Sequence, residues 1–340
     1  MRTTITLFWL LMAAAPWAQA DYRDHPKTAE LRQTLIRDYR FSAEDLLRVD
    51  AALAQAEQLP QLIQSERKNK ESTTPLWDDY LALHVFPKQI DNGLKLLRDY
   101  APWFERAEAE YGVPPAVVAA ILGVETKYGS YTGKHRVLDA LVTQGYEHPS
   151  RQPFFFSELA AYFAFCRDFG YDPVEVKGSY AGAVGYAQFM PSNYLRLARD
   201  YDGDGRVDLW NVPDAIGSIA HYFNAYDPPD RPAAHWRRGE PLLAPVSSAQ
   251  LQPDAPARNT RQPNATIADW QRYGVSSAAE LSSDLPAGLL ELRRPQGPEY
   301  WLALPNFYSV MSYNPRVFYA MAVTELAAAL QQAQALASSP

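Results

Sequence analysis

The sequence predicts a mainly α chain, of the α+β class, whose helical body is interrupted late by a small, partly β insertion. Three observations carry this. Apolar residues recur at helical spacing over most of the first 225 positions. A run of prolines from Pro228 to Pro263 forbids one long helix there. From 266 to 303, short apolar runs such as Leu289-Leu290-Glu291-Leu292 and Tyr300-Trp301-Leu302-Ala303 alternate with Gly and Pro.

The elements follow in order. Arg2, the apolar stretch Ile5 to Trp17 and the small-residue signal Ala18-Gln19-Ala20 read as a secretory signal peptide over 1–20, cut before Asp21. The stretch is short against the roughly 20 residues a membrane span needs, although an uncleaved anchor is the other reading. No cysteine stands near the cut, so a lipid anchor is not expected. The single cysteine, Cys166, rules out an intrachain disulfide. It sits in the aromatic run Tyr162-Phe163-Ala164-Phe165-Cys166 and reads as a buried thiol. An exported chain without disulfides suits a bacterial periplasm. The net charge of −7 argues against nucleic acid as a partner.

Leu31, Leu35, Ile36, Leu46, Leu47, Ala51 and Leu53 mark helix over 28–65, and the polar stretch Lys68 to Thr74 reads as a loop. A second helical pattern covers 90–111. Pro114-Pro115 opens another helix, which stops near Gly129. Further helices are expected at 156–168, 188–200, 213–225 and 315–337. The last returns the chain to the helical body. The resulting division is 21–75, an N-terminal helical region; 76–235, the main core; 236–303, the insertion; and 304–340, the return.

Val118, Ile121, Leu122 and Glu125 stand at i, i+3, i+4 and i+7, which puts a carboxylate on an apolar stripe. It also stands in the last turn, near the negative end of the helix dipole. Both effects raise its pKa. A carboxylic acid held protonated near neutrality can protonate a glycosidic oxygen. The alternative is that Glu125 leaves the helix end and pairs with Lys127 or solvent.

The run Gly178-Ser179-Tyr180-Ala181-Gly182-Ala183-Val184-Gly185-Tyr186-Ala187-Gln188 sets glycines, a Ser and a Gln between aromatics. Ser179 and Gln188 are placed to orient a sugar acetamido group or the acid. A turn with a buried polar network is the other reading. Asp200, Asp202, Asp204 and Asp208 hold positions 1, 3, 5 and 9 of an EF-hand-like loop, with Gly205 at position 6. Asn211, not Glu, stands at position 12. A solvated acidic turn is the plain alternative. Clustered carboxylates repel unless a cation neutralises them, which favours a metal.

Taken in order, Tyr111-Gly112-Val113-Pro114-Pro115, Gly123-Val124-Glu125-Thr126, Leu138-Asp139-Ala140-Leu141, the 178–192 run, Asp200 to Asp214 and Leu304-Pro305-Asn306-Phe307-Tyr308 resemble the lytic murein transglycosylase B family. The matches run from about Trp77 to Leu326. The resemblance implies a lysozyme-like helical core over 76–235, with an N-terminal helical part and the β-containing insertion. It implies cleavage of the β-1,4 bond between N-acetylmuramic acid and N-acetylglucosamine in peptidoglycan glycan strands, leaving 1,6-anhydro ends. Glu125 would be the single acid and base. Ser179, Gln188, Tyr80, Tyr222, Tyr313 and Asn314 would line the cleft. Where the family has two consecutive arginines for the peptide stem, only Arg151 remains, after Ser150. The family's longer metal loop implies a structural Ca2+ held by Asp200, Asp202, Asp204, the Arg206 carbonyl and Asp214. No cofactor for catalysis is expected, and the enzyme is expected to be a soluble periplasmic monomer. A hydrolytic muramidase, a non-catalytic glycan-binding protein and a plain calcium-binding structural protein are the competing readings.

Overall fold

A computed structural model describes residues 22–68 and 76–337. The signal-peptide reading and nearly all of the Lys68 to Thr74 loop lie outside these residues. The N-terminal part holds helices α1 (Pro26–Tyr39), α2 (Ala43–Leu53) and α3 (Pro60–Lys68). The pattern read as helix over 28–65 is therefore three helices. The first break is Arg40, in the left-handed region with φ 57°, followed by Ser42, which caps α2 in a capping box with Asp45.

The body continues with α4 (Trp77–Leu81), α5 (Pro87–Asp99), α6 (Ala101–Tyr111) and α7 (Pro115–Thr126). The single pattern at 90–111 divides at Tyr100, because Pro102 must stand in a first helical turn. Then come α8 (Val137–Glu147), α9 (Gln152–Phe169), α10 (Pro191–Leu197) and α11 (Val212–Ala225). The helix expected at 188–200 begins only at Pro191. A two-residue ladder, β1 (His135–Arg136) with β2 (Lys177–Gly178), ties the start of α8 to the Gly-rich loop.

The insertion is a five-stranded antiparallel sheet. It consists of β3 (Leu243–Ala249), β4 (Ala265–Thr266), β5 (Val275–Ser277), β6 (Pro286–Arg294) and β7 (Gly297–Ala303), in the order β4-β6-β7-β3-β5. A short helix, α12 (Ile267–Arg272), was not anticipated there. Strand alternation buries both faces of β6. Leu290 and Leu292 join the helical core, whereas Ala287 and Leu289 pack in a smaller core with Trp270. The chain returns through α13 (Pro305–Tyr313) and α14 (Val317–Ala337).

α7 occupies the centre, packed by α14, α5, α6 and α11. Every residue from Ala116 to Gly123 is buried. The helix therefore has no polar face, and the apolar stripe inferred for it is a full apolar surround. Among the described residues, no single helix is long and apolar enough to cross a membrane. Only α6 and α7 taken together pass such a test; they are bent by 113° relative to one another, and α7 is core.

Candidate active site

Glu125 sits in the last turn of α7, where apolar surroundings give way to three successive left-handed residues: Lys127 (φ 50°), Tyr128 (φ 58°) and Gly129 (φ 85°). Two of these are not glycine, and such backbone is maintained only by a surrounding structure that determines it. Backbone bonds from Lys127 N–H to the Gly123 carbonyl (3.0 Å) and from Tyr128 N–H to the Leu122 carbonyl (3.0 Å) close the helix. The Tyr128 side chain then turns back between α5 and α7. A Cβ at Gly93 or Gly123 would meet its hydroxyl at 2.4 or 2.8 Å.

Among the described residues the carboxyl has one hydrogen-bond partner: Tyr319, buried in α14, donates its O–H to Glu125 Oε1 at 2.6 Å. Burial pushes the Glu125 pKa up to about 7, and the Tyr319 bond works in the opposite direction. Burial, one of the two causes read from sequence, is the larger effect on the carboxyl; the position read as the other, the last turn of the helix, is also where Glu125 stands. Lys127 is exposed and is not the partner of Glu125. Among the described residues, no other carboxylate contributes to that shift.

The run that carries Ser179 and Gln188 meets the loop after α7 beside this helix end. Gly133 (φ 103°) lies so close to β2 that a Cβ there would stand 2.0 Å from the Gly178 carbonyl. Ser179 Oγ accepts the N–H groups of Ala181 (3.3 Å) and Ala183 (3.1 Å). Gln188 is itself left-handed (φ 48°). Its Nε2 donates to the carbonyls of Thr132 (3.1 Å) and Gly185 (2.9 Å), which fixes the amide and leaves Oε1 as its acceptor.

An aromatic wall backs the acid. The Tyr313 ring stacks on Tyr319 with centroids 6.5 Å apart and lies 4.7 Å from Tyr222 and 5.9 Å from Phe189. The Tyr313 hydroxyl donates to the Ala187 carbonyl, and the Tyr222 hydroxyl to the Ser312 carbonyl at 2.8 Å. The hydroxyls of both Tyr222 and Tyr313 are thus spent on the backbone, and their rings form the wall. Tyr80 is half-buried against Phe318, ring centroids 5.5 Å apart, and the charge of Glu125 acts on its hydroxyl. Asn314 follows α13, half-buried. Arg151 is exposed at the start of α9, its guanidinium over the rings of Phe154 (4.7 Å) and Phe155 (5.0 Å).

In the acidic loop, carboxylate oxygens of Asp200, Asp202 and Asp214 lie within 4.8 Å of one another. Gly203 and Gly205 take left-handed dihedrals of 80° and 88° and donate to Asp200 at 2.7 and 2.8 Å. The buried Asp214 accepts the N–H groups of Tyr201 and Asp208, both at 2.7 Å. Asn211 donates to Asp202 at 2.7 Å, and its own Oδ1 is buried without a partner among the described residues. An orphaned oxygen beside three converging carboxylates fits a hard divalent cation. Asp204 stands outside that cluster, its carboxylate accepting the Arg206 N–H at 2.8 Å.

The family model of the transglycosylase SLT domain matches residues 24–328. The chain belongs to that family. It is an enzyme of the lytic transglycosylase class. It is 34% identical over 323 residues to membrane-bound lytic murein transglycosylase B of Escherichia coli, covering 92% of this chain and 85% of that one. Its structure is similar to that of the Escherichia coli lytic transglycosylase Slt35 in complex with bulgecin A, with a TM-score of 0.81 and 33% identity over 93% of this chain and 96% of the other. Slt35 has also been solved in complex with calcium (TM-score 0.80, 33% identity, 93% and 96% covered). SltB3 of Pseudomonas aeruginosa in complex with NAG-anhNAM-pentapeptide gives a TM-score of 0.71 at 29% identity, covering 89% of this chain and 78% of that one.

Tyr319 is the site residue that the sequence reading missed in this transglycosylase. A tyrosine in the apolar run Val317-Phe318-Tyr319-Ala320-Met321 carries a hydroxyl that must find a partner when buried. That was the available signal, but it does not name the partner, 194 residues away.

Proposed function

We propose that this transglycosylase cleaves the β-1,4 bond between N-acetylmuramic acid and N-acetylglucosamine in peptidoglycan, with Glu125 as both acid and base. The observation that carries the proposal is a carboxyl raised to about 7 by burial, to whose shift no second carboxylate among the described residues contributes. A two-carboxylate hydrolase would need that second group within roughly 5–10 Å.

Tyr319 occupies Oε1, so the proton sits on Oε2 and passes from there to the leaving glycosidic oxygen. The substrate's acetamido oxygen stabilises the electron-poor anomeric carbon, as in substrate-assisted exceptions to the two-carboxylate rule. Ionised Glu125 then takes the proton of the muramic 6-hydroxyl, whose oxygen closes onto the anomeric carbon. A 1,6-anhydro end forms and no water is consumed. The Ser179 hydroxyl, its lone pairs held by Ala181 and Ala183, donates its proton to substrate, while Gln188 Oε1 accepts. Tyr80 and Asn314 contact sugar at the open side, with Tyr222 and Tyr313 behind.

Asp200, Asp202 and Asp214 would hold a structural Ca2+; Asp204 and the Arg206 carbonyl would complete the set by turning inward from where they stand. The ion fixes the entry to α11, far in sequence from Glu125. The mature enzyme works in the periplasm as a monomer after loss of residues 1–20.

The test is Glu125→Gln, assayed for release of soluble fragments from purified peptidoglycan. Loss of turnover by about 10²–10⁴-fold, with a cooperative melting transition no lower than the parent's, is expected for a general acid. Turnover like the parent enzyme's would end the proposal.

A further inference from the structure

In the sheet insertion, β6 and β7 turn through Pro295-Gln296, with Arg294 opposite Gly297. From this turn Arg294 reaches the helical body. Its Nη1 donates to Asp78 Oδ1 of α4 at 2.8 Å. Its Nε donates to Glu299 Oε2 of β7. Glu299 Oε1 in turn accepts the indole N–H of Trp301 at 2.9 Å. The guanidinium is thus held from behind by its own hairpin where it meets α4. A planar fork can serve both carboxylates in fixed directions, which the point charge of a lysine cannot.

α4 depends on its neighbours for its place. It is five residues long, has no side-chain cap at Leu76 and is too short to be stable alone. It rests on α14 and β6. Fully buried Trp77 meets Phe318 of α14 with ring centroids 5.3 Å apart. Asp78 has Arg294 as its one hydrogen-bond and ion-pair partner among the described residues, and its Oδ2 is buried with none. The charges of Arg294 and Glu299 also act on half-buried Glu325 of α14. One arginine therefore serves three carboxylates. Without it Asp78 would stand unpaired, with the like charge of Glu299 across the gap.

α4 also carries Tyr80, two residues beyond Asp78. The Tyr80 ring stacks on Trp77 (6.2 Å between centroids) and tilts against His84 (4.9 Å) and Phe318 (5.5 Å). Glu125 and Arg316 both act on its hydroxyl. Of these ring contacts only Phe318 lies outside α4 and the turn after it, so the ring goes where α4 is seated. We propose that Arg294 is a positioning residue for the glycan cleft: through Asp78 it seats α4 and so fixes the Tyr80 ring where sugar meets it. The sheet insertion thereby takes part in glycan binding without touching the glycan. The inference rests on the reading of Tyr80 as a sugar contact.

The experiment measures kcat and KM on soluble glycan strands from purified peptidoglycan. The variants are Arg294→Gln, Asp78→Asn, the two combined, Tyr80→Ala, and Tyr80→Ala combined with each single change. Arg258→Gln is the control, since it removes a 2.7 Å ion pair to Glu291 on the same strand β6. Arg294→Gln and Asp78→Asn should each raise KM about fivefold and leave kcat within about twofold of the parent's. The combined variant should be no worse than either, because both break one pair. Neither change should add to Tyr80→Ala, and Arg258→Gln should keep the parent KM. A parent-like KM in either single variant, an equal rise in Arg258→Gln, single effects that multiply, or a further loss on top of Tyr80→Ala overturns the proposal. Should Arg294→Gln fail to fold, Asp78→Asn and its combination with Tyr80→Ala decide. A parent-like KM in Tyr80→Ala defeats the sugar-contact reading itself. A raised KM in Tyr80→Ala but not in Arg294→Gln defeats only this inference.

Discussion

Burial of Glu125 has a stability consequence as well as a chemical one. Its carboxyl ionises near 7 in the folded protein against an ordinary 4.5. Between those values the folded state keeps a proton that the unfolded state has lost, so stability falls as pH rises through this window, by up to about 3 kcal/mol in total. Glu125→Gln removes the titration while retaining an oxygen for Tyr319. That variant should match the parent enzyme at pH 4 and exceed it in denaturant melts at pH 8. An equal difference at both pH values would contradict the assigned ionisation. Tyr319→Phe tests the partner. Its bond holds the Glu125 pKa down, so losing it should move the alkaline limb of the activity profile upward and lower kcat, with little change in KM. An unmoved limb would deny Tyr319 its positioning role.

At the scale of elements, the site depends on two loops held at close range. Gly133→Ala places a methyl 2.0 Å from the Gly178 carbonyl at a φ of 103°. The ladder that seats Ser179 must shift, at a cost of about 1–3 kcal/mol. Melting temperature and kcat should fall together, and an unperturbed melt would show that the loops are not locked. The metal loop makes a separate prediction. With calcium present the carboxylates of Asp200, Asp202 and Asp214 are neutralised; after chelation they repel. Chelation should lower the melting temperature, calcium should restore it, and Asp214→Asn should abolish the calcium response. A calcium response that survives Asp214→Asn would remove this loop from the account.

For the molecule as a whole, what was legible in the sequence is what local pattern encodes. The mainly α class, the late β insertion and the acidic loop all rest on spacing, proline and short-range composition. The buried position of Cys166 was legible for the same reason. Two features were not. Helix breaks at Arg40 and Tyr100 leave the hydrophobic period almost unchanged, so periodicity ran through them. Long-range pairings have no local signature: Tyr319 meets Glu125, and Gln188 meets Thr132, only because α14 and the loop after α7 close on the same helix end. Even the apolar stripe around Glu125 owes its depth to α14, α5, α6 and α11, which the helix's own sequence does not show.

In the proposed reaction one carboxyl moves a proton twice and water takes no part. The most direct measurement is the mass of the new glycan ends after the mature protein digests purified peptidoglycan. The expected end is 1,6-anhydromuramic acid, lighter by one water than a reducing end. Reducing ends would contradict it, because they require an activated water, and no second carboxylate among the described residues acts on Glu125 to activate one.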